Sequence, residues 1–275
     1  LSESFESLEL SDPDQERDGL RVATVKSRYL RRRSDVSIWI PGAESIGTLL
    51  ILLHGVYGSH WIWSMKGGVH RTAQRMLESH EIDPMVIAMP NDGLAADGSG
   101  YLMRPGVEDV ERWILDEVPA IARIAAPNLM RCANIAIAGL SMGGYAALRL
   151  GSKYPERFSS ISAHSAFERI EQISAFTKEP IETYLRTAPH EELSASHLLS
   201  KNRNRLPSIR FDCGLDDDLL ETNRGLHASL CEQGIANEYG EFPGSHDWPY
   251  WRTHVADTLR HADRHSKRKV THETN

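Results

Sequence analysis

A serine set between glycines, a histidine in a Pro-Gly loop and a run of three aspartates are the residues of this chain best suited to nucleophilic chemistry. The serine is Ser141, in Gly139-Leu-Ser-Met-Gly-Gly144. Composition alone would yield one Gly-x-Ser-x-Gly match in a chain this long with a probability of order ~0.1, so the context decides. The match directly follows an apolar run, Asn134-Ile-Ala-Ile-Ala138, and directly precedes a helical pattern beginning near Tyr145. A sharp strand-to-helix turn holds its serine in a strained conformation, and neighbours without Cβ avoid the resulting clashes. The turn would lift Oγ above the sheet. The amide of Met142 would then face a developing oxyanion from a helix N-terminus, where the dipole favours negative charge. The plain alternative, an ordinary serine in a glycine-rich turn, needs neither the strand before it nor the helix after it.

Serine becomes a competent nucleophile beside a base, and the base needs an orienting carboxylate. In the strand–turn–helix arrangement these follow in the order Ser, Asp or Glu, His, each on a loop after a later strand. One such strand, residues 208–212, runs into Cys213-Gly-Leu-Asp-Asp-Asp-Leu-Leu220; the last, residues 237–242, runs into Pro243-Gly-Ser-His-Asp-Trp248. His246 is therefore the expected base. Position does not choose among Asp216, Asp217 and Asp218: one should face His246, the others being solvated or capping the next helix. Asp247, beside the base in sequence, cannot easily bridge to its ring and is expected to hold the loop. His54 is expected to shape an oxyanion loop with Gly55, and His227, His254 and His261 to be surface or packing residues on helices. His164, at a strand end, is the one rival base. Trp61, Trp63, Tyr101, Phe167 and Trp248 could form an aromatic wall, with Trp61, Tyr101 and Trp248 the expected substrate contacts. Such rings suit aryl acids and sugar faces alike.

The elements that must position these groups follow from periodicity. Residues 20–27 and 35–40 read as two strands, joined by a basic turn and stopped by Pro41-Gly42. The run Thr48-Leu-Leu-Ile-Leu-Leu53 is uniformly apolar, as a strand buried on both faces of a parallel sheet requires. Residues 85–89, 134–138, 160–163, 208–212 and 237–242 continue that series. Between them, Val107, Val110, Ile114, Leu115, Val118, Ile121 and Ile124 recur at helical spacing, with a bend expected at Pro119. Residues 145–154, 223–233 and 250–264 are further helices. Alternating strands and helices imply βαβ units and a mainly parallel sheet, with the first strand pair antiparallel at its edge. The fold class is thus α/β, a mostly parallel central sheet with antiparallel N-terminal edge strands and helices on both faces. Residues 20–265 form one domain, with residues 167–206 read as an insertion over the sheet, a cap. Residues 1–19 carry seven carboxylates and one arginine and are expected as a flexible tail or edge segment, and residues 266–275 are expected as a basic flexible tail.

Composition narrows the function classes. With 275 residues, 40% of them hydrophobic, there is ample material for one large core. A net charge of −7 argues against general nucleic-acid affinity, and no apolar run approaches the roughly 18 residues of a membrane span. Cys132, Cys213 and Cys231 are too few and too irregular for a disulfide framework or a metal set, and are expected as reduced core thiols. No phosphate-cradling loop or metal-ligand cluster is evident, so neither cofactor nor metal is expected. A cytoplasmic location is favoured because no leader pattern is visible, with a trimmed leader left open by Leu1. The expected partner is a small-molecule ester, and a homodimer is compatible.

These residues resemble the Putative esterase (esterase D-like) family of α/β-hydrolases, which includes tributyrin, feruloyl and acetylxylan esterases, S-formylglutathione hydrolases, enterochelin esterases and mycolyltransferases. The resemblance spans residues 22–259. It is carried by Leu52-Leu-His-Gly55, by residues 139–148 around Ser141, by Tyr154-Pro-Glu-Arg-Phe158, and by the two loops holding Asp217 and His246. It implies Asp217 as the acid, third after the strand-end Gly214, and the amide of Val56, next after His54-Gly55, as the second oxyanion donor beside Met142. S-formylglutathione hydrolases usually follow the histidine with Ser-Tyr-Tyr-Phe. This chain has Asp247-Trp-Pro-Tyr-Trp251, which favours the tributyrin and carbohydrate esterase branch. The implied reaction is hydrolysis of short acyl or aryl esters, some on a carbohydrate. Two other readings use the same fold: an acyltransferase with the same three side chains, and an inert binding protein. The complete set of Ser141, Asp217 and His246 argues against the second.

Overall fold

The structure, a computed structural model, describes residues 5–15 and 17–266. Its centre is a nine-stranded sheet. In chain order the strands are β1 (Ser7–Leu10), β2 (Leu20–Lys26), β3 (Arg33–Trp39), β4 (Ile46–Leu53), β5 (Met85–Pro90), β6 (Leu129–Leu140), β7 (Ser160–His164), β8 (Ser208–Gly214) and β9 (Glu238–Phe242). Across the sheet they run β1-β2-β3-β5-β4-β6-β7-β8-β9. The first three and β5 pair antiparallel, and from β5 to β9 every pairing is parallel. All carboxyl ends of the parallel strands therefore share one edge, where α/β sheets place their ligands.

The apolar run of β4 faces two layers at once, as its composition requires. Leu49, Ile51 and Leu53 join one core and Leu50 and Leu52 the other, all fully buried. The first core is closed by α2 (residues 110–125) and α3 (Met142–Lys153), the second by α1 (Val69–Glu78) and α6 (Trp248–Ser266). Helices on both faces of a mostly parallel sheet make this a three-layer α/β fold.

The acidic N-terminal segment takes the edge alternative: Ser7–Leu10 pairs antiparallel with β2 as the sheet's edge strand. Two details depart from the expectations. The irregularity of α2 lies one turn before Pro119, where Trp113–Glu117 winds as a π-helical turn. Proline has no N–H for the carbonyl four residues back; that carbonyl, of Leu115, accepts instead from the Arg157 guanidinium. The three cysteines are free, but Cys132 and Cys231 are exposed and only Cys213 is a core thiol. Finally, the basic tail beyond Ser266 lies outside the described residues.

The expected insertion folds as short helical turns, Ile170–Ala175, Glu182–Leu185 and His190–Leu193, followed by α4 (Ala195–Lys201); α5 (Leu220–Glu232) then joins β8 to β9. It delivers Phe176 to the carboxyl edge of the sheet. Among the described residues no helix is long and apolar enough to cross a membrane.

Candidate active site

Ser141 stands between β6 and α3 with φ 53° and ψ −120°, a conformation that strains any residue with a side chain. The turn is tight. A Cβ on Gly139 would lie 2.4 Å from the backbone of Gly143, and one on Gly143 would lie 2.5 Å from the Leu53 carbonyl oxygen. Both glycines are therefore required by close approach of backbone to backbone. The Ser141 amide donates to the His164 carbonyl at 2.8 Å, tying the turn to β7.

His246 meets this serine from the loop after β9. Its Nε2 is 3.0 Å from Ser141 Oγ, and its Nδ1 is 3.0 and 3.1 Å from the two carboxylate oxygens of Asp217. The tautomer follows: Nδ1 against a carboxylate carries the hydrogen and donates it, leaving Nε2 to accept from the serine hydroxyl. The Asp217 side chain is fully buried and also accepts from the Leu219 amide at 2.8 Å. Burial alone would raise its pKa. The hydrogen bond and charge of His246, with the Leu219 amide and Ser165, outweigh that and hold it below the usual carboxylate value. Asp216 and Asp218 face solvent. Of the three aspartates, the structure brings Asp217 to the histidine.

Aromatic rings fix the imidazole. Phe176 lies against it at 4.8 Å between centroids, and Trp251 meets it edge-on at 5.0 Å. Trp251 in turn meets Trp248 at 5.4 Å, and Trp248 meets the buried Trp63 at 5.5 Å, each edge to face. Asp247 accepts from the Tyr250 amide at 3.0 Å and so caps α6 from within the loop.

The rival histidine is engaged elsewhere. His164 is fully buried, with Nδ1 2.8 Å from Asp212 and Nε2 2.8 Å from Thr258 Oγ1. Asp212 also meets the Tyr250 hydroxyl at 2.7 Å and Arg210 at 2.6 Å. These contacts hold its pKa down to about 2 although burial opposes it.

Met142 opens α3, so its amide sits at the positive end of that helix. Val56 follows β4 in the chain, and both Val56 and Ser141 line one cleft. Tyr101, expected to touch substrate, is instead fully buried. Its hydroxyl accepts from the His54 amide at 2.9 Å and donates to the His54 carbonyl at 3.2 Å. It locks the chain just ahead of Val56. The loop 89–101 packs against the side chains of both expected oxyanion residues: a Cβ on Gly98 would meet Met142 Sδ at 2.6 Å and Val56 Cγ1 at 3.0 Å.

The cleft holds about 320 Å³, with walls of Ile62, Leu140, Phe176, Trp248 and Trp251. Of the three expected substrate contacts only Trp248 lines it. Trp61 is 44% exposed, because the π-helical turn Ile62–Lys66 turns Ile62 to the cleft while Trp63 is anchored to the Leu53 carbonyl at 2.9 Å. Two aromatic wall residues were not among those expected. Trp251, three positions after Trp248 on the same helix, was within reach of spacing; Phe176, in an aperiodic insertion, was not.

Comparison with known proteins places the chain in a family. Residues 27–262 match the Putative esterase family. The chain is 28% identical over 233 residues to an acetyl esterase of Caldicellulosiruptor saccharolyticus, covering 79% of this chain and 83% of that one. Among solved structures it is similar to a ferulic acid esterase, with TM-score 0.76 and 25% identity over 89% of this chain and 98% of that one. An S-formylglutathione hydrolase of Staphylococcus aureus shares the fold, with TM-score 0.73 and 18% identity over 92% and 98% of the two chains. With a match that runs nearly end to end and includes the serine turn, the chain belongs to the Putative esterase family, ester hydrolases of the α/β-hydrolase fold.

Proposed function

We propose that this chain hydrolyses short-chain acyl or aryl carboxylic esters by acyl transfer through Ser141. The observation that carries the reading is His246 standing within hydrogen-bond distance of both Ser141 and Asp217. His246 Nε2 takes the hydroxyl proton as Oγ attacks the ester carbonyl. The amides of Met142 and Val56 hold the oxyanion, each donor contributing about 3 kcal/mol to the transition state. His246 then protonates the leaving alcohol, and the acyl group remains on Ser141. Water, deprotonated by the same nitrogen, releases the acid and regenerates the serine. Asp217 keeps the proton on Nδ1 and stabilises the imidazolium.

Cleft size supports a small substrate. A volume of about 320 Å³ is at the low end of the roughly 300–1,000 Å³ of ligand sites. Its aromatic wall suits a flat aryl acid or the face of a sugar bearing the ester, and the acetyl esterase relative supports a short acyl group. Replacing Ser141 by Ala should abolish turnover of p-nitrophenyl acetate with the melting temperature retained; an Ala variant as fast as the parent would overturn the assignment. Across acetyl, butyryl, octanoyl and feruloyl esters, kcat/KM should peak at the short or aryl members. A clear optimum at octanoyl would refute the substrate reading alone.

A further inference from the structure

At the opposite, amino-terminal edge of the sheet, α6 places His261 and His265 one helical turn apart on one face, beside Glu238 at the start of β9. One ligand atom from each of the three lies within 4.8 Å of the other two. His261 is fully buried. Its Nε2 donates to the Ser208 carbonyl at 3.4 Å, which assigns the ring hydrogen to that nitrogen and leaves Nδ1 with a bare lone pair. Nδ1 has no hydrogen-bond partner among the described residues, and the atom it faces at 3.7 Å is a carboxylate oxygen of Glu238. Two acceptors thus confront each other across a gap too long for a hydrogen bond.

We propose that Glu238, His261 and His265 form a binding site for a divalent transition-metal ion of the zinc class. Two imidazoles at i and i+4 with one carboxylate are a donor set suited to Zn²⁺. Ligands about 2.0 Å from a tetrahedral ion stand roughly 3.3 Å apart, so the 3.7 Å between His261 Nδ1 and Glu238 needs to close by only a few tenths of an ångström. The carbonyl of Ser208 is the kind of outer partner that orients a metal-bound histidine. Neighbouring cations are matched: Arg264 holds the other oxygen of Glu238 at 2.9 Å, and Arg210 lies against Asp212 and Asp257. Glu238 and these arginines line a depression of about 480 Å³ through which an ion can arrive. Glu238 begins β9 and the histidines end α6, so the ion would clamp together the two elements whose connecting loop carries His246. Searching for cysteine and histidine spacing along the chain misses this set, because one ligand comes from another element.

The test is calorimetric titration of ZnCl2 into the EDTA-stripped full chain, compared with the His265→Ala and Glu238→Gln variants. The parent should bind one more equivalent than either variant, or bind it at least tenfold more tightly, with Zn²⁺ raising the melting temperature of the parent alone. Unchanged hydrolysis of p-nitrophenyl acetate by both variants in EDTA would show that they fold. A Cys231→Ser variant, which removes the thiol near His227, should bind as the parent does, and the Co²⁺ form should show four-coordinate d–d bands without sulfur charge transfer. Equal binding by parent and both variants, no binding by the parent at about 100 µM, or loss of binding only in Cys231→Ser would overturn the proposal.

Discussion

Gly143→Ala is the perturbation whose effect can be worked out most fully from the geometry. Gly143 lies in the first turn of α3, where alanine would ordinarily be favoured by about 1 kcal/mol. Its added methyl, however, would meet the Leu53 carbonyl oxygen at 2.5 Å and that of His54 at 2.6 Å. Both are backbone atoms at the end of a central strand, so neither can rotate away. Restoring an ordinary contact moves the α3 terminus and the β4 end apart by about 0.9 Å. The amide of Met142 rides on one and that of Val56 on the other. A misplacement of about 1 Å at a reacting centre costs on the order of 100-fold in rate, or about 2.7 kcal/mol. Overpacking, at about 1–3 kcal/mol, should outweigh the helix gain and lower stability modestly. The assay is kcat/KM on p-nitrophenyl acetate together with the melting temperature, with Gly144→Ala as control. There the nearest contact is the Ala166 methyl, at 3.0 Å, and the loss should stay below about tenfold. If Gly143→Ala kept kcat/KM within twofold of the parent, the paired-amide geometry would be refuted.

Other predictions rest on separate contacts. Asp217→Asn keeps an oxygen for the Leu219 amide at the Oδ1 position but sets an NH2 where Oδ2 stood, 3.0 Å from His246 Nδ1, donor facing donor, which favours the reversed imidazole tautomer; kcat should fall by about 10⁴ with KM little changed, and a loss under tenfold would contradict that role. Ser141→Gly should melt higher than Ser141→Ala by about 1 kcal/mol of stability, since glycine relieves the strain at φ 53°; equal melting temperatures would mean that the turn is unstrained. Asp212, held to about 2, lies below its unfolded value of about 3.9. Its contribution is therefore full above pH 4 and lost as pH falls toward 2, a swing of about 2 kcal/mol. Asp212→Asn should be less stable at pH 7 and show a shallower acid limb in urea titrations; parallel acid limbs would refute this.

Legibility in the sequence followed from how much of each feature is local. The strand run 48–53, the serine turn and the order of the two later loops depend on period, glycine placement and chain direction, and Ser141 and His246 were readable from them. Asp217 was not separable from Asp216 and Asp218 by position, since burial and the Leu219 amide choose it, and only family resemblance singled it out. The substrate wall fared worst. An aromatic residue near the right strand end can point either way. Tyr101 points inward to brace His54, and Trp61 yields its place to Ile62 because a π-helical turn rotates the segment. Phe176 reaches the cleft from an insertion with no period to read.

The central claim, a serine activated by one particular imidazole, is most directly tested by intact-mass and peptide mapping after reaction with a fluorophosphonate. The parent should gain a single adduct, located on Ser141, and His246→Ala should label at least 100-fold more slowly. Labelling of another residue, or of Ser141 at the parent rate without His246, would contradict it.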